Sequence, residues 1–350
     1  MKRSGASLPA PLTPPHEGEG NPSRENQKKL MNRRSAARLV LAGFALNLSL
    51  GRSPAAAEDT TLRIGYQRSS ALISLLREDA TLETALKPLG VSVSWHEFTS
   101  GLPIMEALNV GRIDVSADVA DTVPVFAQAA GAKITYIAQE AASPQAQAIL
   151  VPGDSPLKSV AELKGRKVAV TKGAGSHYLL LAALKAEGLP FKSITPAYLT
   201  PADGRSALAG GSVDAWVAWD PFLSAAQIQA GARILKDGTG LSAYKRYYLA
   251  SDAYAEKRAD VLTLLVAKLR EAGAWVKANP DAAAARLGAL WKIEPDIVKQ
   301  ANARRSYQVE PVSREGLAEQ QTIADAFRGE GLLPRPVDAA ALPVWDAPSR

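Results

Sequence analysis

The sequence predicts an α/β protein of two lobes. From residue 60 onward, short apolar strand-like segments alternate with helix-like segments, the pattern of largely parallel sheets covered by helices on both faces. The alternation restarts after the sequence PGDSP at residues 152–156, and residues 245–251 form an extended segment that we interpret as a return crossing. A chain of 350 residues is long enough for two cores. We therefore expect residues 58–152 with 250–350 in the first lobe and residues 153–249 in the second.

The first unit shows both kinds of hydrophobic periodicity. Residues 91–97 alternate Val, Val and Trp with Ser, Ser and His, which predicts a half-buried strand. Pro124 falls in the first turn of a helix predicted over residues 122–130. The other predicted strands are 62–66, 113–116, 134–139 and 147–151, and the other predicted helices are 70–76, 82–89 and 104–110.

The second unit continues the alternation, and the chain then ends in helices. The predicted strands are 167–170, 194–199, 214–218 and 232–235, and the helices are 159–163, 176–187, 202–209, 220–230, 260–278, 280–290, 295–303 and 313–330. Two α/β units joined by two crossings predict a ligand between the lobes, at the loops that follow the strand ends.

Residues 31–57 have the three parts of a secretory signal peptide. A basic start at residues 33–38 precedes an apolar run at 39–50 and the small residues 55–57, so we expect cleavage after Ala57. The run is too short for a membrane span, which needs roughly 20 residues. Arg33 and Arg34 leave the twin-arginine export route open beside the general secretory one. Residues 1–30 are rich in Pro, Gly and charge, which predicts disorder, and Met31 stands where such a signal is expected to start.

Charge and cysteine content exclude several classes of function. The net charge of +6 belongs to the leader, because residues 58–350 hold 32 basic and 32 acidic side chains; no nucleic-acid partner is therefore predicted. The chain has no cysteine, which excludes disulfides, thiolate catalysis and iron–sulfur ligation. Beyond the leader the histidines are His96 and His177, whose spacing predicts no zinc site. We expect no cofactor, no metal and no catalytic set.

A glycine-rich loop at residues 172–178 (KGAGSHY) is the first candidate ligand-binding segment. It follows a predicted strand and opens a helix, so backbone N–H groups near Gly173 and Ser176 are suited to an anion. Tyr178 stands where a dinucleotide-binding motif needs glycine, and no P-loop lysine follows. The alternative is a plain strand–helix turn with Ser176 as the N-cap. His177 is interpreted either as a structural histidine or as part of the site.

Two tryptophans and an acid come where the strand predicted at 214–218 runs into the next helix. Trp216 and Trp219 are three residues apart and therefore point to opposite faces of a strand, which leaves open the one that faces the ligand. Asp220 precedes Pro221, a pair typical of a helix start, and its carboxylate is also a candidate for the site.

Polar residues also follow three strands of the first unit, where a ligand loop is expected. Capping of the next helix partly explains why polar residues occur at Asp121 and Thr122, but it does not explain the acidic residue at Asp118. Glu140 is interpreted either as a site residue or as an exposed loop acid. The candidates from these loops are Gln67, Ser69, Ser70, Asp118, Asp121, Thr122 and Glu140.

Taken together, seven segments resemble the aliphatic sulfonate-binding proteins of ABC importers. They are residues 65–67, 106–111, 124–131, 148–152, 172–180, 214–222 and 248–251, within a likeness that runs from about 60 to 330. The resemblance implies a type II periplasmic-binding-protein fold with a two-segment hinge, in a periplasmic monomer that is not an enzyme. It further implies capture of an alkanesulfonate and delivery to a permease driven by an ATPase. The site residues that it implies are Gln67, Ser69, Ser70, Thr122, Gly173, Ser176, His177 and Trp219.

The chain departs from this family pattern in two places. Ser70 stands where glycine is expected, and residues 115–121 replace a Gly/Thr-rich loop and bring in Asp118. A carboxylate there would repel a simple alkanesulfonate but could pair with an ammonium group, so taurine or another aminosulfonate is an alternative ligand. Nitrate and a thiamine-precursor pyrimidine are further alternatives, and an enzyme on the same fold is the rival class.

Overall fold

The computed structural model describes residues 60–346, and these residues build two mixed β-sheets, each the centre of one lobe. The predicted signal peptide at 31–57, its cleavage after Ala57 and the segment 1–30 lie outside the described residues. Between residues 60 and 346, no helix combines the length and the apolar character that a membrane crossing needs.

Strands and helices alternate as predicted, with most boundaries within a few residues. The strands are β1 (Thr61–Gln67), β2 (Ser92–Phe98), β3 (Val115–Ala120), β4 (Ile134–Glu140), β5 (Gln147–Val151), β6 (Lys167–Val170), β7 (Thr195–Tyr198), β8 (Ala215–Trp219), β9 (Arg233–Asp237), β10 (Arg246–Ser251) and β11 (Val309–Glu310). The α-helices are α1 (Ala71–Asp79), α2 (Thr81–Leu86), α3 (Gly101–Asn109), α4 (Thr122–Ala129), α5 (Gly175–Ala186), α6 (Pro201–Ala209), α7 (Phe222–Ala230), α8 (Asp252–Lys257), α9 (Ala259–Ala278), α10 (Pro280–Trp291), α11 (Pro295–Arg304) and α12 (Ala318–Gly329).

The first sheet has the strand order β11–β4–β10–β3–β1–β2, and the second has the order β7–β6–β8–β5–β9. In the first sheet, β1 pairs in parallel with β2 and β3, while β10 runs antiparallel between β3 and β4. In the second, β6 pairs in parallel with β7 and β8, while β5 runs antiparallel to β8 and β9. The predicted α/β fold of two lobes is therefore confirmed.

The crossings between the sheets come earlier in the chain than expected. β5 belongs to the second sheet and β10 to the first, so the chain crosses before Gln147 and returns before Arg246. The expected boundaries at 152 and 250 are thus several residues too late. Apolar runs such as residues 147–151 fit a buried strand of either sheet, so the sequence pattern does not show to which sheet they belong.

Each lobe is held by an apolar core of its own on the helix-covered faces. Helices α1, α9 and α10 contribute buried leucines to the core of the first lobe, with Leu72, Leu265 and Leu287 fully buried. In the second lobe, α5 contributes Leu179, Leu180 and Leu184 to a comparable core. Burying such side chains contributes roughly 1.5–3 kcal/mol each, which fixes the sheet edges that carry the polar residues.

Candidate functional site

The polar candidates lie at one edge of each sheet. In the first sheet, the carboxyl ends of β1, β3 and β4 meet the amino end of β10, where Arg246 lies opposite both Ala120 and Glu140. In the second sheet, the end of β8 meets the start of β5, with Trp219 opposite Gln147. The loop after β6 lies at the same edge, because β6 is parallel to β8.

The two edges face each other and are in contact. The Thr122 hydroxyl donates to the carbonyl of Gly173 over 2.9 Å, which joins α4 of the first lobe to the loop after β6. Gly173 has φ +71°, and a β-carbon there would approach Leu102 to 2.8 Å. A β-carbon at Gly175 would lie 2.6 Å from the ring of Tyr244. Glycine at these two positions therefore allows the second lobe to close on the first.

The first edge contains a buried ionic cluster, which we define as Asp118, Glu140, Arg246 and Arg305. Nε of Arg246 lies 2.7 Å from Oδ2 of Asp118. Nη2 of Arg305 donates to Glu140 at 2.5 Å and to Asp118 at 3.3 Å. All four side chains are at most 3% exposed. Two guanidinium groups match two carboxylates, so the ionic cluster has no net formal charge.

The ionic cluster corrects two interpretations. Glu140 is not an exposed loop acid, because it is buried and also accepts from the hydroxyl of Tyr248 at 2.8 Å. Asp118 is not a free carboxylate, because two guanidinium groups already neutralise it. An ammonium group would have to compete with both arginines for Asp118, so the argument for an aminosulfonate loses its basis.

Arg246 and Arg305 are absent from the sequence-based candidates. The signal that could have found them is physical: Asp118 and Glu140 fall in or at the end of apolar strands, and a buried carboxylate requires a cationic or hydrogen-bonding partner. Arg246 is the first residue of β10, and the residues that follow it, 247–250, are aromatic or apolar. An arginine at the start of such a strand is an expected partner.

Asp121 differs from Asp118, although only three residues separate them. It precedes α4 but makes no side-chain capping bond, so the predicted cap is wrong. Its Oδ1 is buried without a hydrogen-bond partner among the described residues. Burial raises the pKa of Asp121 to about 7. The side chain borders a cavity of about 370 Å³ that Tyr178, Ser242 and Glu319 also line.

The loop after β6 places Ser176 and His177 in different surroundings. Helix α5 begins at Gly175 with Ala174 at the N-cap, so Ser176 is not the cap, and its buried hydroxyl has no partner among the described residues. His177 lies in the second core, 5.0 Å from the ring of Phe327. Its Nδ1 accepts from the N–H of Gly173 at 3.2 Å, and burial together with Lys172 lowers its pKa to about 4. We interpret His177 as a neutral residue that fixes the loop.

The two tryptophans of β8 point to opposite sides, as their spacing predicts. Trp216 is 1% exposed and packs among Leu208 and Leu223 in the second lobe. Trp219 packs with Tyr244 and other residues of the first lobe, and its indole N–H is buried without a partner among the described residues. Trp219 is thus the tryptophan at the contact between the lobes.

Asp220 makes a separate contact, with helices α7 and α11. Its carboxylate accepts from the backbone N–H of Ser224 at 3.0 Å and pairs with Arg304 at 3.2 Å. The helix predicted to start at residue 220 begins at Phe222, although the carboxylate of Asp220 still accepts a hydrogen bond from its first turn. Asp220 therefore belongs to a contact between helices rather than to the ligand-facing surface.

Gln67, Ser69 and Ser70 lie at the end of β1 and are all buried. The amide of Gln67 donates to the carbonyl of Asp118 at 3.4 Å, and the Ser70 hydroxyl accepts from the N–H of Gln67 at 3.3 Å. Ser70, where glycine is expected, thus shapes the turn before α1. These residues are brought to the same edge as the ionic cluster.

Several residues of the two edges carry buried polar atoms without partners. Among the described residues these atoms include the hydroxyl of Ser176, the indole N–H of Trp219, Nε of Arg305, Oε1 of Gln147 and Oδ1 of Asp118. Such groups are rarely left unpaired in a folded protein, and a few polar groups at a contact between lobes are typical of a binding site for a small polar molecule. Residues 60–346 contain no cluster of three His, Cys, Asp or Glu that could hold a metal ion.

Comparison with known proteins agrees with this geometry. Residues 87–283 match the family model described as NMT1/THI5 like. A relative from Escherichia coli (strain K12), named as an aliphatic sulfonates-binding protein, is 42% identical over 308 residues, which is 87% of this chain and 95% of the relative. The alkanesulfonate-binding protein SsuA from Xanthomonas axonopodis pv. citri, solved bound to MOPS, has 37% identity and a TM-score of 0.78 over 83% of this chain and 99% of that one. The periplasmic aliphatic sulphonate binding protein SsuA from Escherichia coli has 41% identity and a TM-score of 0.76, over 83% and 94% of the two chains. These likenesses confirm the predicted periplasmic-binding-protein fold.

Proposed function

Because the chain belongs to the aliphatic sulfonate-binding family of periplasmic solute-binding proteins, we propose that it captures an aliphatic sulfonate between its two lobes. The loaded protein then delivers the ligand to a membrane permease driven by an ATPase. The observation that carries the proposal is the presence, on both lobes, of buried donors without partners among the described residues: Ser176 and Trp219 in the second lobe and Arg305 in the first. Export to the periplasm after cleavage at Ala57, and a monomeric state, belong to the same proposal.

A sulfonate suits this site because it stays a monoanion at any biological pH and offers three acceptor oxygens. The hydroxyl of Ser176, the indole N–H of Trp219 and Nε of Arg305 are donors without partners among the described residues. A donor aimed at an anion forms a stronger hydrogen bond than a neutral pair does. Gln67, Ser69, Ser70, Thr122 and Gly173 complete the proposed surroundings of the ligand.

Simple alkanesulfonates are favoured over aminosulfonates. The ionic cluster is already neutral, so it offers no spare negative charge near Asp118 to an ammonium group. We expect ethanesulfonate to bind at least as tightly as taurine. A clear preference for taurine in calorimetry would restore the aminosulfonate alternative.

The experiment that tests the proposed function is a thermal-shift screen of residues 58–350. The ligands are alkanesulfonates of increasing chain length, taurine, sulfate, nitrate and a thiamine-precursor pyrimidine. A ligand that binds only the folded state stabilises it by about 2.7 kcal/mol at a hundredfold excess over Kd. We expect shifts with alkanesulfonates and none with nitrate or the pyrimidine.

The same samples separate a receptor from an enzyme. After overnight incubation, the sulfonate should be recovered unchanged and free sulfite should stay at the level of the blank. Release of sulfite would place the chain among enzymes of this fold. A shift with nitrate or the pyrimidine alone would keep the receptor role and replace the ligand class.

A further inference from the structure

A polar contact outside the ionic cluster joins α7 to α11. Nη1 of Arg304 lies 3.2 Å from Oδ2 of Asp220 and donates to the hydroxyl of Ser224 at 3.1 Å. Its Nη2 donates to Oε1 of Gln227 at 2.6 Å. The side chain of Asp220 is 1% exposed and that of Arg304 is 17% exposed. Arg304 is the only cation that the structure pairs with Asp220 within residues 60–346.

The two partners belong to different lobes. Helix α11 packs on α10, and its Val298 lies in the first core. Helix α7 follows β8 of the second sheet, and its Leu223 lies in a core of the second lobe. A further bond between the same helices runs from Gln300 to Gln227 at 2.8 Å. These bonds therefore span the two lobes.

Each ionic partner is also the chain neighbour of a residue at the candidate site. Asp220 follows Trp219 in the second lobe, and Arg304 precedes Arg305 in the first. Because neighbouring residues of a chain are displaced together, movement that separates Arg304 from Asp220 also displaces Trp219 relative to Arg305.

We propose that Arg304 and Asp220 form an interlobe latch, in which Arg304 is a positioning residue that holds the cleft closed and slows release of the ligand. This inference rests on the proposed function. In an open form, the carboxylate of Asp220 would be hydrated; closure removes it from water, and the guanidinium of Arg304 compensates that cost. Hinge closure around a ligand is the motion that proteins of this fold make.

The test compares three variants with wild type: Arg304→Gln, Asp220→Asn and the double variant. Association and dissociation rate constants for an alkanesulfonate are followed by tryptophan fluorescence in stopped flow. Arg304→Gln should raise the dissociation rate constant by about ten- to hundredfold, because closure now buries an unpaired carboxylate. The association rate constant should change by less than about threefold, since bound-state contacts act mainly on dissociation. The double variant should recover part of the loss, because the introduced asparagine side chain is neutral and still accepts from Ser224.

The matched control is Lys299→Gln, which removes a cation from the same helix. Lys299 pairs with Asp281 at 2.6 Å, a contact that stays inside the first lobe and is largely exposed. We expect wild-type rate constants for this variant. If Arg304 were merely structural, Arg304→Gln would leave the dissociation rate constant unchanged and would lower the melting point of the ligand-free protein.

A readout without ligand separates failure of the latch from failure of the proposed function. Because the chain has no cysteine, Val110→Cys and Lys185→Cys place one dye on each lobe at exposed positions. Even without a sulfonate, Arg304→Gln should lower the efficiency of energy transfer between the two dyes, because the distance between the lobes becomes longer. Lys299→Gln should leave this efficiency unchanged. Identical distance distributions and dissociation rates in Arg304→Gln and wild type would overturn the latch. Absence of sulfonate binding by wild type would overturn the proposed function alone.

Discussion

The two edges that meet between the lobes use different chemistry. The first edge carries two carboxylates and two guanidinium groups, all nearly fully buried and paired with one another. The second edge presents Gly173, Ser176, Gln147 and Trp219, none of which carries a charge. In the proposed function, recognition of an anion depends on donors that lack partners among the described residues rather than on an excess of positive charge. Arg305 supplies one such donor from the ionic edge, and Ser176 and Trp219 supply the others from the neutral edge.

The largest expected effect comes from breaking the ionic edge at Arg305. Arg305→Met should lower the free energy of unfolding by about 3–5 kcal/mol, because it leaves Glu140 and Asp118 with only Arg246 as a cation. It should also abolish detectable sulfonate binding, since the unpartnered Nε is lost. Urea unfolding and calorimetry measure both effects.

Two further variants sharpen this test of the ionic edge. Arg205→Met removes an exposed arginine of α6 and should change the free energy of unfolding by less than about 0.5 kcal/mol. Glu140→Gln in the Arg305→Met background should recover part of the stability, because it removes the uncompensated carboxylate. If Arg305→Met is as stable as wild type, the ionic cluster is not the closed unit described above.

A smaller effect distinguishes Asp121 from the paired Asp118. Because burial raises the folded-state pKa of Asp121 from 3.8 to about 7, the folded protein holds a proton that the unfolded chain has released. The contribution of protonated Asp121 to the free energy of unfolding is therefore fully present below pH 3.8. It is lost as the pH rises toward 7, by up to about 1.4 kcal/mol per pH unit. Relative to Asp121→Asn, wild type should lose about 2 kcal/mol between pH 5.0 and 6.5.

The comparison with Asp121→Asn is needed because titration of His177 changes the stability of the protein with pH in the opposite direction. Its pKa is lowered to about 4, so its contribution to stability is lost as the pH falls below 6.5. The two trends partly cancel in wild type, and the difference between wild type and Asp121→Asn removes the contribution of His177. A constant difference in unfolding free energy across pH 5.0–6.5, measured in urea, would mean that Asp121 has an ordinary pKa.

The alternation of periodicities was enough to predict the fold, whereas the site was predictable only in part. The loop at Gly173 and the strand end at Trp219 follow from local pattern, because glycine and tryptophan stand at strand ends. Arg246 and Arg305 contact Asp118 from positions 128 and 187 residues away. No local periodicity encodes such pairing, and a carboxylate in a sequence does not show whether a distant guanidinium neutralises it. The sheet assignment of residues 147–151 failed for the same reason, since strand pairing is a long-range property.

The smallest effect separates the two tryptophans of β8 and tests the neutral edge. Trp219→Phe should weaken sulfonate binding by about tenfold, because it removes one N–H donor and keeps an aromatic ring in the contact. Its free energy of unfolding should change by less than about 1 kcal/mol. Trp216→Phe is the matched control: it removes the same atoms from the second core and should lower stability by about 1–2 kcal/mol while affinity stays within about twofold. Both tryptophans lie in β8 and both are replaced by phenylalanine, so the two variants can be compared directly. If Trp216→Phe weakened sulfonate binding and Trp219→Phe did not, Trp216 would be the ligand-facing tryptophan. The second edge would then face the opposite side of the sheet.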